Sequence, residues 1–215
     1  MTSPTRRRDL LVGACALLVT VSVVRLGVDR EMLAHVHSLR GDRPLTDAQV
    51  PVIEHLRHGT EWAVWLARLL VGAAVVAWMA VARRIVQTYD CDLYRSDPGF
   101  AVSGWFIPPM NLGAPYLLMA DVWTASHPSR RPEAIVDRLP VPRRILVWWG
   151  LFLVSVVVGC MGLLDAVHGG SPWAPFDVRL DSVTTTCQLV SAAVLAWIVV
   201  RATGFIEWRA ATSTL

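Results

Sequence analysis

The chain is poor in charge. Only 17% of its 215 residues are Asp, Glu, Lys or Arg, where a soluble domain carries roughly 25%. So little charge cannot coat a water-facing surface. With 54% hydrophobic residues beside it, this composition excludes a disordered chain, a nucleic-acid-binding domain and an ordinary cytosolic enzyme. Lysine is absent, and all 20 basic residues are arginine. They are scattered rather than striped and the net charge is +3, so no nucleic-acid partner is expected. Cysteine is sparse as well. Cys15, Cys160 and Cys187 lie inside apolar runs, and with Cys91 they make no Cys-x-x-Cys or Cys/His ligand spacing. That excludes a disulfide framework and a cysteine zinc site. No Ser/His/Asp set, glycine-rich phosphate loop or pair of carboxylates stands at a catalytic spacing. No catalytic residue, cofactor or enzymatic activity is therefore expected.

What the chain has is apolar length. A bilayer core of ~30 Å takes about 20 helical residues. Leu10–Val24 (reaching Val28 if Arg25 is tolerated), Trp62–Ala82 with Arg68 inside, Ile145–Leu164 and Ser182–Val200 approach or meet that length. Pro98–Ala120 is uncharged but broken by prolines. The expected fold is an all-α integral membrane protein with four transmembrane helices, at 10–28, 62–82, 145–164 and 182–203. To these is added a proline-broken segment, 98–123, that re-enters or forms a fifth span. Residues 1–8 and 210–215 read as tails of a single helical membrane domain, 9–209. Arg7-Arg8-Asp9-Leu10-Leu11 resembles a twin-arginine export core, and Val12-Gly13-Ala14-Cys15 loosely resembles a lipobox. The apolar run continues past Cys15 and further spans follow, so the first helix is expected to stay uncleaved.

Arginine placement orients the spans. With the N-terminus cytoplasmic and the broken segment re-entering, thirteen arginines lie on inner segments. Arg30, Arg40, Arg43, Arg57 and Arg179 lie outside. Letting the broken segment span would move the arginine-rich 126–144 loop outward, against the positive-inside rule. The expected location is a bacterial inner membrane with both termini cytoplasmic. Trp62 and Trp65, Trp78, Trp148 and Trp149, and Trp208 mark span ends, as indoles at the headgroup level do.

The broken segment runs through Gly104-Trp105-Phe106-Ile107-Pro108-Pro109, Asn111, Gly113 and Pro115. Two consecutive prolines followed by Asn and Gly break a helix. The carbonyls so freed must be buried in protein or line a wet cavity. Pro115 suits the first turn of a second, short helix. Asn111 is expected to fold inward and satisfy loop backbone with its amide, with Trp105 packed on neighbouring helices.

These same residues carry a resemblance. Gly104-Trp105-Phe106-Ile107-Pro108, Asn111 and Pro115, then Asp121-Val122-Trp123 and Ala125-Ser126, resemble the hallmark loop of an actinobacterial family of membrane proteins of unknown function. The family pattern is G-W-F-x-P-x-x-N-L-x-x-P, and the resemblance extends over about Ala63 to Arg209. Pro109 departs from it, standing where the family usually has an aliphatic residue. The resemblance implies topology and lineage, and no activity.

Charges inside the membrane are the remaining signal. Arg25 lies at the outer end of the first span and Arg68 about two turns inside the second. Asp165 and Asp181 flank the last two spans at the outer face. Arg68 is expected to snorkel outward or to pair with Asp165 or Asp181. Asp181, Thr184, Gln188 and Ser191 fall on one helix face, a stripe that packs helices together or lines a water path. Ser155 and Gly159 offer a close-approach surface nearby. In the outer loop His35, His37, Glu54, His55 and His58 have spacings open to a metal, and Thr46 with Gln49 makes a capping box. A solvated amphipathic helix is the expectation there, with no metal.

Three functions are weighed: a non-enzymatic envelope accessory or scaffold protein first, a small transporter or channel second, and an intramembrane enzyme a distant third. The partners expected are the lipid bilayer and other membrane proteins or further copies of the chain.

Overall fold

In the computed structural model, proline marks the entry to three of the four long helices. Helices α1 (Pro4–Ser38), α2 (Val50–Gln87) and α5 (Pro175–Thr212) carry Pro4, Pro51 and Pro175 in their first turns. There a missing N–H costs nothing and the fixed φ favours helix. Helix α4 (Arg143–Val167) begins just after Pro142, whose carbonyl accepts from the Ile145 N–H at 2.9 Å. Between α2 and α4 in the chain come a 3-10 turn, Met110–Leu112, and a short helix α3 (Ala114–Ser126). The structure describes residues 4–38, 50–88, 103–105, 107, 109–129, 141–168 and 175–212. For 35–38, 50, 53, 54, 165, 166 and 175–177 it describes the backbone alone.

Among the described residues there is no strand. Four helical stretches are long and apolar enough to cross a membrane: Pro4–Ala34, His55–Gln87, Arg143–Leu164 and Val178–Thr212. The all-α architecture expected from hydropathy is the one observed. Three helices overrun the expected spans, however. Helices α1, α2 and α5 have 35, 38 and 38 residues, about 52–57 Å at 1.5 Å per residue. Arg25, Asp29, Glu61 and Asp181 mark span ends in hydropathy, yet all lie inside helix. Charge ends an apolar run without ending a hydrogen-bonded helix.

Helix α1 buries one narrow stripe. Leu11, Cys15, Leu18, Ser22, Arg25, Asp29 and Met32 are all buried, and their spacing alternates between four and three. That is the heptad pattern of a helix held along one seam. Helix α2 buries a stripe spaced by threes and fours, Val64, Ala67, Val71, Val75, Trp78, Ala82 and Val86, widened by Met79 and Arg83. Leu66, Leu69 and Leu70 on its other side are exposed.

The chain divides into two compact units. Unit one takes Met1–Cys15, Leu70–Trp149 and Val194–Leu215; unit two takes Ala16–Leu69 and Gly150–Ala193. Unit one contains the whole of α3, ten of whose 13 residues are buried. Helix α3 ends where His127 turns extended, at φ −62° and ψ 133°. Pro128 follows, and a residue before proline is disfavoured in the helical region. The Ala125 carbonyl left at that end accepts from Arg209 Nη1 at 2.5 Å, a cation placed where a helix C-terminus favours one. Trp123 stacks on Trp197 at 5.9 Å and meets Phe205 edge-on at 5.1 Å. Arg144 lies 4.0 Å over the Trp197 ring. Trp78, fully buried, donates its indole N–H to Thr203 Oγ1 at 3.1 Å. Arg7 donates to the Ala77 carbonyl, and Thr5 to Glu207.

Candidate functional site

The second unit is built around one buried guanidinium. Arg25 stands on the buried stripe of α1 with only 4% of its side chain exposed. Its Nε is ion-paired to Asp29 Oδ1 at 3.1 Å, one turn along the same helix. One Nη donates to the Arg57 carbonyl at 2.9 Å and touches Thr60 Oγ1 at 3.5 Å, both on α2. The other Nη is bonded to Asp181 on α5. One arginine therefore joins three helices. The arrangement needs i, i+4 phasing on α1, a hydroxyl at Thr60, and a carboxylate in the second turn of α5. Thr60 also returns its proton to the Leu56 and Arg57 carbonyls.

Asp29 is 2% exposed and Asp181 34% exposed, so the node is closed at one carboxylate and open at the other. Two carboxylates face a single guanidinium in the node. Both Asp29 oxygens are buried and, among the described residues, accept no hydrogen bond; the contact to Arg25 is an ion pair off hydrogen-bond alignment. Ser22 Oγ, Thr184 Oγ1 and Gln188 Oε1 are likewise buried without a partner among those residues. A buried polar atom left unpaired costs ~1–3 kcal/mol, and few occur in a folded domain. With Arg57 Nε and Arg68 Nε, seven such atoms, five oxygens and two nitrogens, lie in this one unit.

The structure redistributes the charges singled out in the sequence. Asp181 is bonded to Arg25. Arg68 lies half-buried with its guanidinium 4.9 Å over the Trp65 ring, one turn back on its own helix. The Asp165 side chain lies outside the described part. Thr184 and Ser191 are buried. A Cβ on Gly159 would stand 3.8 Å from the Thr184 methyl, so α4 and α5 approach each other there. Ser155 is buried and donates to the Phe152 carbonyl within α4. Asp29 is the residue sequence reasoning missed. It reads as the first residue of an outer loop, yet the four-three phasing from Leu11, Cys15 and Leu18 already points at it.

The proline-broken loop lies in unit one. Gly104 is buried. Trp105 meets Trp149 edge-on at 6.3 Å, the packing expected of it. Phe106 and Pro108 lie outside the described residues. Pro109 precedes the 3-10 turn, and Pro115 takes the first turn of α3, as expected. Asp121 is half-buried on α3. The expectation for Asn111 is corrected. The Leu112 carbonyl takes its proton from the Trp149 indole at 2.7 Å. Asn111 contributes through its backbone N–H, to the Ile107 carbonyl at 3.0 Å. A rigid indole from α4 reaches this turn where a short amide on the turn's half-exposed side does not.

Of the histidines, His55 and His58 are exposed, and His58 lies 4.0 Å from Glu61. The side chains of His35, His37 and Glu54, and the capping pair Thr46 and Gln49, lie outside the described part. Among the described residues no three His, Cys, Asp or Glu side chains are grouped. Unit one also carries an open groove of about 570 Å³, lined by Arg8, Pro128, Val200, Arg201, Gly204, Phe205 and Trp208. Arg8 is already paired with Asp9 there.

With this geometry in hand, comparison with known families is informative. A family described as a domain of unknown function (DUF4328) matches residues 42–204, more than half of the chain. The chain belongs to the DUF4328 family. No curated protein and no solved structure matches it. The DUF4328 match holds α2, α3, α4 and most of α5, and it includes the proline-broken loop. Helix α1 precedes it. The buried node thus takes Asp181 and Thr60 from the DUF4328 segment and Arg25 and Asp29 from the helix before it.

Proposed function

We propose that this DUF4328 protein is a small, non-enzymatic channel or transporter of a bacterial inner membrane. The observation that carries the reading is the Arg25–Asp29–Asp181 node, buried inside stretches apolar enough to span a bilayer. Ionisable groups at such positions are expensive and commonly mark ion or substrate paths. The scaffold reading draws its support from an absence of chemistry in the sequence; the node is what supports transport beside it. The bilayer is the primary partner, and nucleic acid is not one. The arginine-for-lysine composition favours an actinobacterial source.

In the proposed topology both termini face the cytoplasm. Arginine bias supports this, as does the Thr5–Glu207 contact, which joins the first turn of α1 to the last turns of α5. The proline-broken segment is re-entrant. Helix α3, with 13 residues, is about 20 Å long, short of a ~30 Å core.

Reconstitution into liposomes tests the reading. Purified protein is expected to dissipate an imposed gradient of a small ion, and Asp29→Asn and Asp181→Asn to reduce that flux by tenfold or more. Protein that leaves every imposed gradient intact, while co-purifying stoichiometrically with another membrane protein in mild detergent, would return the scaffold reading.

A further inference from the structure

The open groove of unit one is lined by cations and apolar groups together. Val200, Arg201, Gly204, Phe205 and Trp208 come from α5, Arg8 from the start of α1, and Pro128 from just past the end of α3. Val200 to Trp208 covers about 12 Å of helix. Val200 closes the apolar run of α5, and Trp208 lies in its last turns, where an indole suits the headgroup level. The groove therefore passes from hydrocarbon depth to headgroup level. Its volume of about 570 Å³ lies within the ~300–1,000 Å³ of small-molecule sites. Phe205 is braced edge-on by Trp123 and by His127, each at 5.1 Å, so this wall is set before anything binds.

Two arginines line the groove and no carboxylate does. Arg201 is exposed and makes no ion pair or hydrogen bond among the described residues; its guanidinium lies 5.8 Å from the Trp197 ring centre. Arg8 is paired with Asp9 through Nε and Nη2. Asp9 is 63% exposed, and so exposed a pair contributes little, so a phosphate can share that guanidinium. Glu207, the other acid at these helix ends, accepts from Thr5. Even with Asp9 counted, the groove keeps a positive charge. Leu10 and Val200, both exposed, carry apolar surface from the two arginines into the spans. Guanidinium at the polar end with bare apolar surface below it matches a phospholipid, its phosphate on arginine and its chain along the helices. A headgroup with no ammonium of its own suits that charge best. Gly204 leaves the room: a Cβ placed there meets nothing within 4 Å.

We propose that this groove holds the headgroup of an anionic phospholipid, with Arg201 and Arg8 on its phosphate. The site lies in the other unit from the Arg25 node, so it stands or falls apart from the transport reading.

Native mass spectrometry of the full chain in mild detergent tests this, with phosphatidylglycerol and phosphatidylcholine that carry the same oleoyl chains. Wild type is expected to bind phosphatidylglycerol about tenfold more tightly. Arg201→Gln should cut that preference about fivefold. Arg84, an exposed arginine in the last turn of α2, lies outside the groove, and Arg84→Gln should change the preference less than about twofold. Gly204→Leu alters no charge but fills the groove, and should bring phosphatidylglycerol binding down to the phosphatidylcholine level. If Gly204→Leu does not fold, Arg201→Gln at its exposed position decides against Arg84→Gln. Equal binding of the two lipids by wild type would overturn the proposal. So would folded Gly204→Leu that holds phosphatidylglycerol as wild type does, or equal losses from Arg201→Gln and Arg84→Gln, since attraction would then be spread over all the arginines. Displacement of the lipid by an equal concentration of inorganic phosphate would make the ligand a free anion and overturn it as well.

Discussion

Arg25 and Asp181 stand 156 residues apart in the chain and are bonded side chain to side chain, closing the second unit between its first helix and its last. The pair is one edge of a node in which Asp29 is almost wholly enclosed. Breaking a buried ion pair from one side strands the other charge and costs about 3–5 kcal/mol, whereas replacing the whole set with apolar or neutral groups costs little.

Arg25→Met is therefore expected to destabilise the protein by roughly 3–5 kcal/mol. The triple variant Arg25→Met, Asp29→Asn, Asp181→Asn should recover most of the loss. Arg68→Ala, which removes a ring contact and a charge attracted by Asp181 and Glu61 from beyond ion-pair distance, should cost under about 1 kcal/mol. Unfolding in detergent micelles measures all three. A triple variant no more stable than Arg25→Met would contradict the node.

The broken loop offers a contrast between neighbours in space. Trp149→Phe removes the indole N–H held by the Leu112 carbonyl and should cost about 1–3 kcal/mol. Asn111→Ala should cost under about 1 kcal/mol, because that half-exposed amide is not what satisfies the turn. Thermal unfolding with the order reversed would sink this account.

Arg209 caps the carbonyl end of α3. Arg209→Gln should fray that end by about 1 kcal/mol, seen as faster amide exchange in the last turn of α3 and little change in α4. Uniform exchange across both helices would argue for a global role instead.

Topology has a direct reporter. Fusions after Arg95 and after Arg138 should both report cytoplasm under the proposal that the segment between them re-enters. Opposite signals would make that segment a span and place the C-terminus outside.

Span number and helix type are legible in the sequence because each needs only local hydropathy over about 20 residues. Pro115 is legible for the same reason: proline acts within its own turn. Span ends are not, since Arg25 and Asp181 look like boundaries until each is seen holding the other inside helix. Asp29 was half legible, through its phase with Leu11, Cys15 and Leu18. Trp149 as the partner of the Leu112 carbonyl was not legible at all. It comes from 37 residues away and depends on how α4 packs.

The four-three stripe of α1 makes that helix intolerant of changes in length. One residue inserted between Leu18 and Ser22 rotates everything after it by about 100°. Arg25 and Asp29 would then turn out of the seam toward lipid, while every residue kept its identity. An insertion or deletion of seven restores the phase to within about 20°, yet it slides Arg25 roughly 10 Å away from Asp181. Between Leu11 and Asp29 the helix therefore tolerates substitution far better than any change in length.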